Sequence, residues 1–223
     1  MAKDTPMNHD VNSNREYWEQ FYKQNALSVP SQFCALVATE IPKDRCLVEL
    51  GCGNGRDSLY FASRQQPVCA VDLSHEAVKS CSSKAVKMGL NTAHFMQADL
   101  SNHSDLQRLF TAARAATKTG AVVCYSRFVM HSVNDEQENL FLVSLSKLMT
   151  SGEKIYFEFR SKEDADLVKT FGGHYRRFVD TDAFVDAQTK THGFKLEYAI
   201  TGRGMAKYKS EDPYVSRLVF EKD

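Results

Sequence analysis

Val48-Glu49-Leu50-Gly51-Cys52-Gly53-Asn54-Gly55-Arg56-Asp57-Ser58 is the stretch whose reading decides the fold. An apolar run, Cys46 to Leu50, leads into three glycines, and a helical pattern starts near Asp57. Glycine adopts the left-handed backbone of a tight turn and carries no Cβ to hold a ligand off the main chain. The helix that follows presents free N–H groups, which favour an anion such as a ligand carboxylate. A strand, a glycine turn and a helix open an α/β sheet, in which ligands sit at the carboxyl ends of the strands.

Outward from this turn, short apolar runs alternate with amphipathic ones. Val68 to Val71, Ala93 to Gln97, Ala121 to Tyr125 and Lys154 to Phe159 read as strands two to five. Between them, Ser74 to Met88 has one apolar face (Ala77, Val78, Cys81, Ala85, Met88) and ends at Gly89. Leu106, Leu109, Phe110 and Ala113 give the next helix its buried stripe, and Glu136 to Met149 forms another, closed by Gly152. This alternation implies right-handed βαβ crossovers and a mainly parallel sheet covered on both faces. The rhythm breaks at the end: after a helix near Thr181 to Thr191, Phe194 to Ile200 and Tyr214 to Glu221 are both strand-like with no helix between. A short polar connection permits an antiparallel hairpin. Residues 1–14 are polar and read as a tail. Helical segments at Arg15 to Lys23 and Ser31 to Ile41 make residues 15–45 an N-terminal cap to a domain at 46–223.

Composition narrows the function classes. Lys+Arg and Asp+Glu are both 28, which argues against a surface built for nucleic acid or for a charged membrane. No apolar run reaches the ~20 residues of a bilayer span. Of six cysteines, none forms a CxxC pair, and Cys46, Cys69 and Cys124 lie within strand-like runs. They read as small buried hydrophobes in a reducing compartment, so a cytoplasmic protein without a metal site is expected.

Two aspartates give the glycine turn its meaning. Asp72 follows the second strand, where a carboxylate can accept both ribose hydroxyls of a nucleoside. Asp99 follows the third, where it can accept an exocyclic amine while Leu100 packs on the base. Each alone reads equally as a helix cap, but three such features at consecutive strand ends exceed what caps explain.

With these residues the chain resembles the class I S-adenosylmethionine (SAM)-dependent methyltransferases, from Val48 to the terminal hairpin. The resemblance implies a Rossmann-like, doubly wound α/β fold with a seven-stranded sheet, mostly parallel with an antiparallel last strand. It also implies SAM as cofactor and S-adenosylhomocysteine as product. Glu49, Gly51, Cys52, Gly53, Asn54, Gly55, Arg56 and Asp57 would surround the methionine portion, with Ser126 nearby. Asp72 and Leu73 would meet the ribose, and Asp99 and Leu100 the adenine. The GCGxGRDS loop is similar to that of tellurite-resistance and thiopurine-type small-molecule methyltransferases. Tyr17-Trp18-Glu19-Gln20-Phe21-Tyr22 resembles their cap, making Trp18 and Tyr22 candidate acceptor contacts. Similar small methyltransferases act in surface-polysaccharide pathways, which suggests a phosphorylated or sugar-linked acceptor.

Methyl transfer needs an aligned nucleophile, exclusion of water and, for some acceptors, a base. The acceptor should lie beyond the fourth strand, at Tyr125-Ser126-Arg127-Phe128-Val129-Met130-His131. His131 is the candidate base, because neutral imidazole accepts a proton near pH 7. Tyr125 and Arg127 are candidates to orient the acceptor. Arg160, His174, Arg176, Arg177, Lys207, Lys209 and Arg217 suit a carboxylate or phosphate if they converge. The Asn/Asp-Pro-Pro-Tyr signature of amino-methylating nucleic-acid enzymes is absent, so DNA is not expected as a substrate. A monomer or homodimer acting on a small molecule is expected. The competing readings are a non-catalytic SAM-binding scaffold and an NAD(P)-dependent oxidoreductase. The latter lacks its GxGxxG spacing, since Arg56 stands where that pattern resumes.

Overall fold

The computed structural model describes residues 29–167, 175–208 and 210–223. The strands are β1 (Cys46–Leu50), β2 (Val68–Asp72), β3 (Ala93–Gln97), β4 (Val122–Arg127), β5 (Lys154–Arg160), β6 (Phe194–Gly202) and β7 (Val215–Lys222). They form one seven-stranded sheet in the order β3-β2-β1-β4-β5-β7-β6. β1 to β5 are parallel, and β7 runs antiparallel between β5 and β6, so the terminal hairpin is as expected. Strand order reverses at β1, which puts the glycine loop at the topological switch point.

The helices among the described residues are α1 (Gln32–Val37), α2 (Arg56–Ser63), α3 (His75–Lys87), α4 (His103–Ala115), α5 (Asp135–Leu148) and α6 (Thr181–Lys190). Their starts are fixed by side chains that accept the orphan N–H groups of the first turn: Ser74 for α3, Asn102 for α4 and Asp180 for α6. α5 opens with a reciprocal capping box between Asn134 and Gln137.

Because strand side chains alternate, each strand serves two layers. Val48 and Leu50 of β1, Cys124 of β4, Phe157 and Phe159 of β5 and Phe220 of β7 pack with α4, α5 and α6. Leu47, Tyr125, Tyr156 and Val219 face the other way, with Phe33, Cys34 and Val37 of α1, Phe61 of α2 and Cys81 of α3. The same alternation puts Glu49, Arg127, Glu158 and Arg217 on this second face, toward the carboxyl ends of β1, β4 and β5. One layer is thus apolar throughout, while the other becomes charged at the edge where ligands are expected.

Three boundaries differ from the sequence reading. α1 ends at Val37 rather than near Ile41, with Thr39 and Glu40 closing tighter i→i−3 turns; Pro42 disfavours helical backbone in the residue before it. β4 runs on to Arg127 because Ser126 and Arg127 pair with Phe157 and Glu158 of β5. α5 stops at Leu148, and Gly152, with φ of +79°, belongs to the turn into β5 instead. The expected tail, the helix at 15–23, Trp18, Tyr22, His174 and Lys209 lie outside the described residues. No described helix is long and apolar enough to cross a membrane. All six cysteines are buried and free.

Candidate cofactor and acceptor site

The glycine loop crosses from β1 to α2 in left-handed backbone, with φ of +84° at Gly51, +52° at Gly53 and +75° at Gly55. Two glycines are also required by neighbours inside the protein rather than by a ligand. A Cβ on Gly51 would stand 2.3 Å from Val129 Cγ2, and one on Gly55 2.5 Å from Cys81 Sγ. The loop is therefore clamped between the segment after β4 and the face of α3. Its amides of Gly51 and Cys52 donate to the Val71 carbonyl, at 2.9 and 2.8 Å. Lys84 Nζ donates to the Asn54 carbonyl at 3.0 Å.

Asp72 ties the loop to β2. One carboxylate oxygen accepts from Gly53 N at 2.8 Å and the other from Ser74 N at 2.9 Å. Beside it Leu73 is exposed, an apolar side chain of the kind that packs on a flat ligand. Asp99 presents a similar arrangement one strand further out. Its Oδ1 accepts from Ser101 N and Oγ, at 2.8 and 2.6 Å, which fixes the carboxylate. Its Oδ2 has no partner among the described residues, and Leu100 beside it is half-buried. Ser126 Oγ is buried at the end of β4 with no hydrogen-bond partner, the type of orphaned group that calls for an explanation.

Two expected cofactor contacts make hydrogen bonds inside the protein. Asp57 is buried in the first turn of α2. Its carboxylate accepts from Ser31 N and Ser31 Oγ, both at 2.7 Å, and from Tyr125 OH at 2.8 Å. These bonds weld α1, α2 and β4 together below the loop. Glu49 is likewise buried and accepts from Ser58 Oγ. Burial, reinforced by the Asp57 charge, pushes its carboxyl well above the usual carboxylate range. Glu49 is a buried hydrogen-bonding group under the loop.

The catalytic expectations change as well. Tyr125 is fully buried, and its hydroxyl donates to Asp57, so it braces the loop. Burial and then Asp57 push its phenol up, which keeps it neutral. His131 lies in a 3-10 turn, Met130–Ser132, and is almost buried. Its Nδ1 accepts from the Arg160 amide at 3.3 Å, and its carbonyl accepts from Arg177 N at 2.9 Å.

The arginines expected to converge on an anion are mostly matched by carboxylates. Arg160 bonds Asp164 at 2.6 Å and also Glu211. Arg177 bonds Asp135 and Glu138. Glu158 joins three neighbouring strands: its two oxygens accept from Arg127 Nε and Arg217 Nε, each at 2.7 Å. The registers Arg127↔Glu158 and Glu158↔Arg217 put these residues side by side across β4, β5 and β7. Arg160, proposed as an acceptor contact, is thereby corrected to a buried ion-pair partner. Arg176 is half-buried in the segment after β5. Phe128 follows β4 with φ of +59°, a strained value for a bulky residue. Arg127 lies 4.0 Å above its ring and Arg160 5.5 Å. Nothing in the sequence announces Glu158 as a hub or Phe128 as strained. Both depend on strand register and on a loop conformation.

Comparison with known proteins accords with this geometry. Residues 47–152 match the family model described as a methyltransferase domain. A SAM-dependent methyltransferase from Anabaena variabilis superposes over 100% of this chain and 99% of its own, with a TM-score of 0.73 and 15% identity. The chain thus has the fold of the class I SAM-dependent methyltransferases, with a methyltransferase-domain match over its first four strands. The [4+2]-cyclase SpnF superposes over 86% of this chain and 80% of its own, with a TM-score of 0.65 and 11% identity, so the fold also carries other chemistry. A curated relative, an uncharacterised RNA methyltransferase of Leptospira interrogans, is 25% identical over 77 residues. That match spans 34% of this chain and 19% of the relative.

Proposed function

We propose that this chain is a SAM-dependent methyltransferase acting on a small-molecule acceptor. The observation that carries the reading is the series at successive strand ends: the left-handed loop after β1, Asp72 after β2, and Asp99 with its uncommitted Oδ2 after β3. These residues fit a nucleoside with an amino-acid tail. Asp72 would hold the ribose hydroxyls, Asp99 the adenine amine, Leu73 and Leu100 the ring faces, and the first turn of α2 the tail. Bound SAM supplies a methyl group on a sulfonium centre, ready for in-line displacement.

The chain's own part is positioning. The Ser31–Asp57–Tyr125 weld and the Val129 clamp hold the loop rigid, which fixes the cofactor against the acceptor. The buried ladder Arg127–Glu158–Arg217 floors the acceptor side with a preorganised polar surface. His131 is proposed to hold the β5 exit in register by accepting the Arg160 amide at Nδ1, and proton removal falls to the acceptor's own chemistry or to water. A small molecule is favoured over RNA because Arg160, Arg177 and Arg217 are engaged by carboxylates and the net charge is zero.

Calorimetry with SAM, S-adenosylhomocysteine and NAD tests the cofactor. SAM binding that is lost in Asp72→Ala is expected; NAD binding without SAM binding would sink the reading. Methyl transfer is then assayed on thiols, amines, phenols, carboxylates, phosphorylated sugars and a structured RNA. Turnover only on RNA would overturn the acceptor class. SAM binding without any turnover would favour a binding protein on this fold.

A further inference from the structure

We propose that Lys84 positions the amino-acid end of SAM, acting through Asn54 of the glycine loop; this deepens the methyltransferase reading and rests on it. Lys84 lies in the last turn of α3, and its Nζ crosses to the loop to donate to the Asn54 carbonyl at 3.0 Å. One turn earlier, Cys81 Sγ donates to the Gly53 carbonyl at 3.3 Å. Side chains three residues apart share a helix face, so this face of α3 takes two successive loop carbonyls. Because the peptide bond is planar and trans, a carbonyl turned toward α3 turns the next residue's N–H away from it. The Gly55 amide accordingly points back into the loop, closing the turn on the Cys52 carbonyl at 2.9 Å.

Asn54 passes this constraint to α2. Its carbonyl accepts from Lys84, and its Oδ1 accepts from Arg56 N, the first amide of the helix, at 3.3 Å. One residue therefore links α3 to the helical turn proposed to receive the cofactor's tail. Gly55, the N-cap of α2, has no side chain to close that turn. The next two amides, of Asp57 and Ser58, have no acceptor among the described residues. Unpaired amides at a helix start suit a carboxylate, and the Lys84–Asn54 bond fixes where they stand.

The charge of Lys84 adds to its reach. Lys162, Lys190 and Lys195 each pair with a carboxylate, whereas Lys84 forms no ion pair among the described residues. Its ammonium meets a neutral carbonyl and keeps its full charge at a half-buried position. A charge there is screened less than one in open water. A neutral donor would hold the Asn54 carbonyl as well, so what lysine contributes beyond the bond is attraction for an anion at the loop. The tail of SAM carries one, its carboxylate, and the nucleoside portion carries none.

Lys84→Met keeps the stem and removes donor and charge, while Lys84→Arg keeps both. Each protein is titrated calorimetrically with S-adenosylhomocysteine and with 5′-methylthioadenosine, which has the nucleoside but no amino-acid tail. Lys84→Met is expected to weaken S-adenosylhomocysteine about tenfold, the size of one charge-assisted hydrogen bond, and to leave 5′-methylthioadenosine within about twofold. Lys84→Arg should recover most of the loss, and added salt should weaken S-adenosylhomocysteine more in the parent than in Lys84→Met. Unchanged binding in Lys84→Met overturns the proposal, as does an equal loss for both ligands or a Lys84→Arg no better than Lys84→Met. A Lys84→Met chain that fails to fold by far-UV circular dichroism overturns it too, because Lys84 is then a structural tie. Failure of the parent to bind S-adenosylhomocysteine overturns the methyltransferase reading itself, whereas the other outcomes leave that reading standing.

Discussion

Replacing Gly51 with alanine tests the claim that the loop is clamped from inside. Gly51 has φ of +84°, and an added Cβ would meet Val129 Cγ2 at 2.3 Å. Left-handed backbone at a residue with a Cβ costs about 1–2 kcal/mol. Forcing a methyl into an occupied position adds about 1–3 kcal/mol, because Val129 must shift or leave its rotamer. The sum, ~2–5 kcal/mol, lowers Tm by roughly 4–20 °C at the ~2–4 °C per kcal/mol of a domain this size. Val129 is half-buried, so Val129→Ala removes the obstructing methyl at modest cost. The double variant should recover the packing part and keep the backbone part, giving a coupling of ~1–3 kcal/mol in a double-mutant cycle. Urea unfolding followed by far-UV circular dichroism measures all four proteins. Strict additivity of the two substitutions would refute the clamp, and an unchanged Gly51→Ala midpoint would refute the left-handed loop as well.

Three further outcomes follow from buried polar groups. Glu153, at the opposite edge of the sheet, accepts from both terminal nitrogens of Arg114 and from the amides of Val122 and Thr150. Burial pushes its carboxyl up, but these four donors together hold it below its ordinary value of 4.5. A depressed folded value means that its stabilisation is present above pH 4.5 and lost as pH falls through the folded value. Glu153→Gln should lower stability by ~3–5 kcal/mol at neutral pH, with the deficit shrinking in urea titrations run below about pH 4. Glu49 behaves in the opposite sense: its raised value makes its contribution fully present below 4.5 and lost as pH rises through the folded value. Glu49→Gln should therefore gain on the parent between about pH 5 and pH 8, as read by urea midpoints; an advantage that falls with pH would contradict a protonated Glu49. Tyr125→Phe removes one charged hydrogen bond to Asp57 and should cost about 1.5–3 kcal/mol of stability. Its kcat/KM should stay within a few-fold of the parent, and a loss of several hundred-fold would return Tyr125 to the reacting centre.

The sequence by itself determined the layered α/β architecture, the glycine loop, the aspartates after β2 and β3, and the terminal hairpin. Each is local: a strand shows as an apolar run, a helix as a periodic face with a cap, and a turn as glycine. Which polar side chains meet was decided only by the tertiary structure. Asp57 stands in the loop motif, yet it bonds Ser31 and Tyr125 from distant segments. Arg160 resembles a substrate contact until Asp164 and Glu211 close on it. Glu158 becomes a hub because strand register sets Arg127 on one side and Arg217 on the other, 31 and 59 residues away along the chain. A charge's role depends on partners within ~4 Å, since opposite charges at that range stabilise each other where distant ones are screened. The sequence names the charges, and the sheet selects their partners.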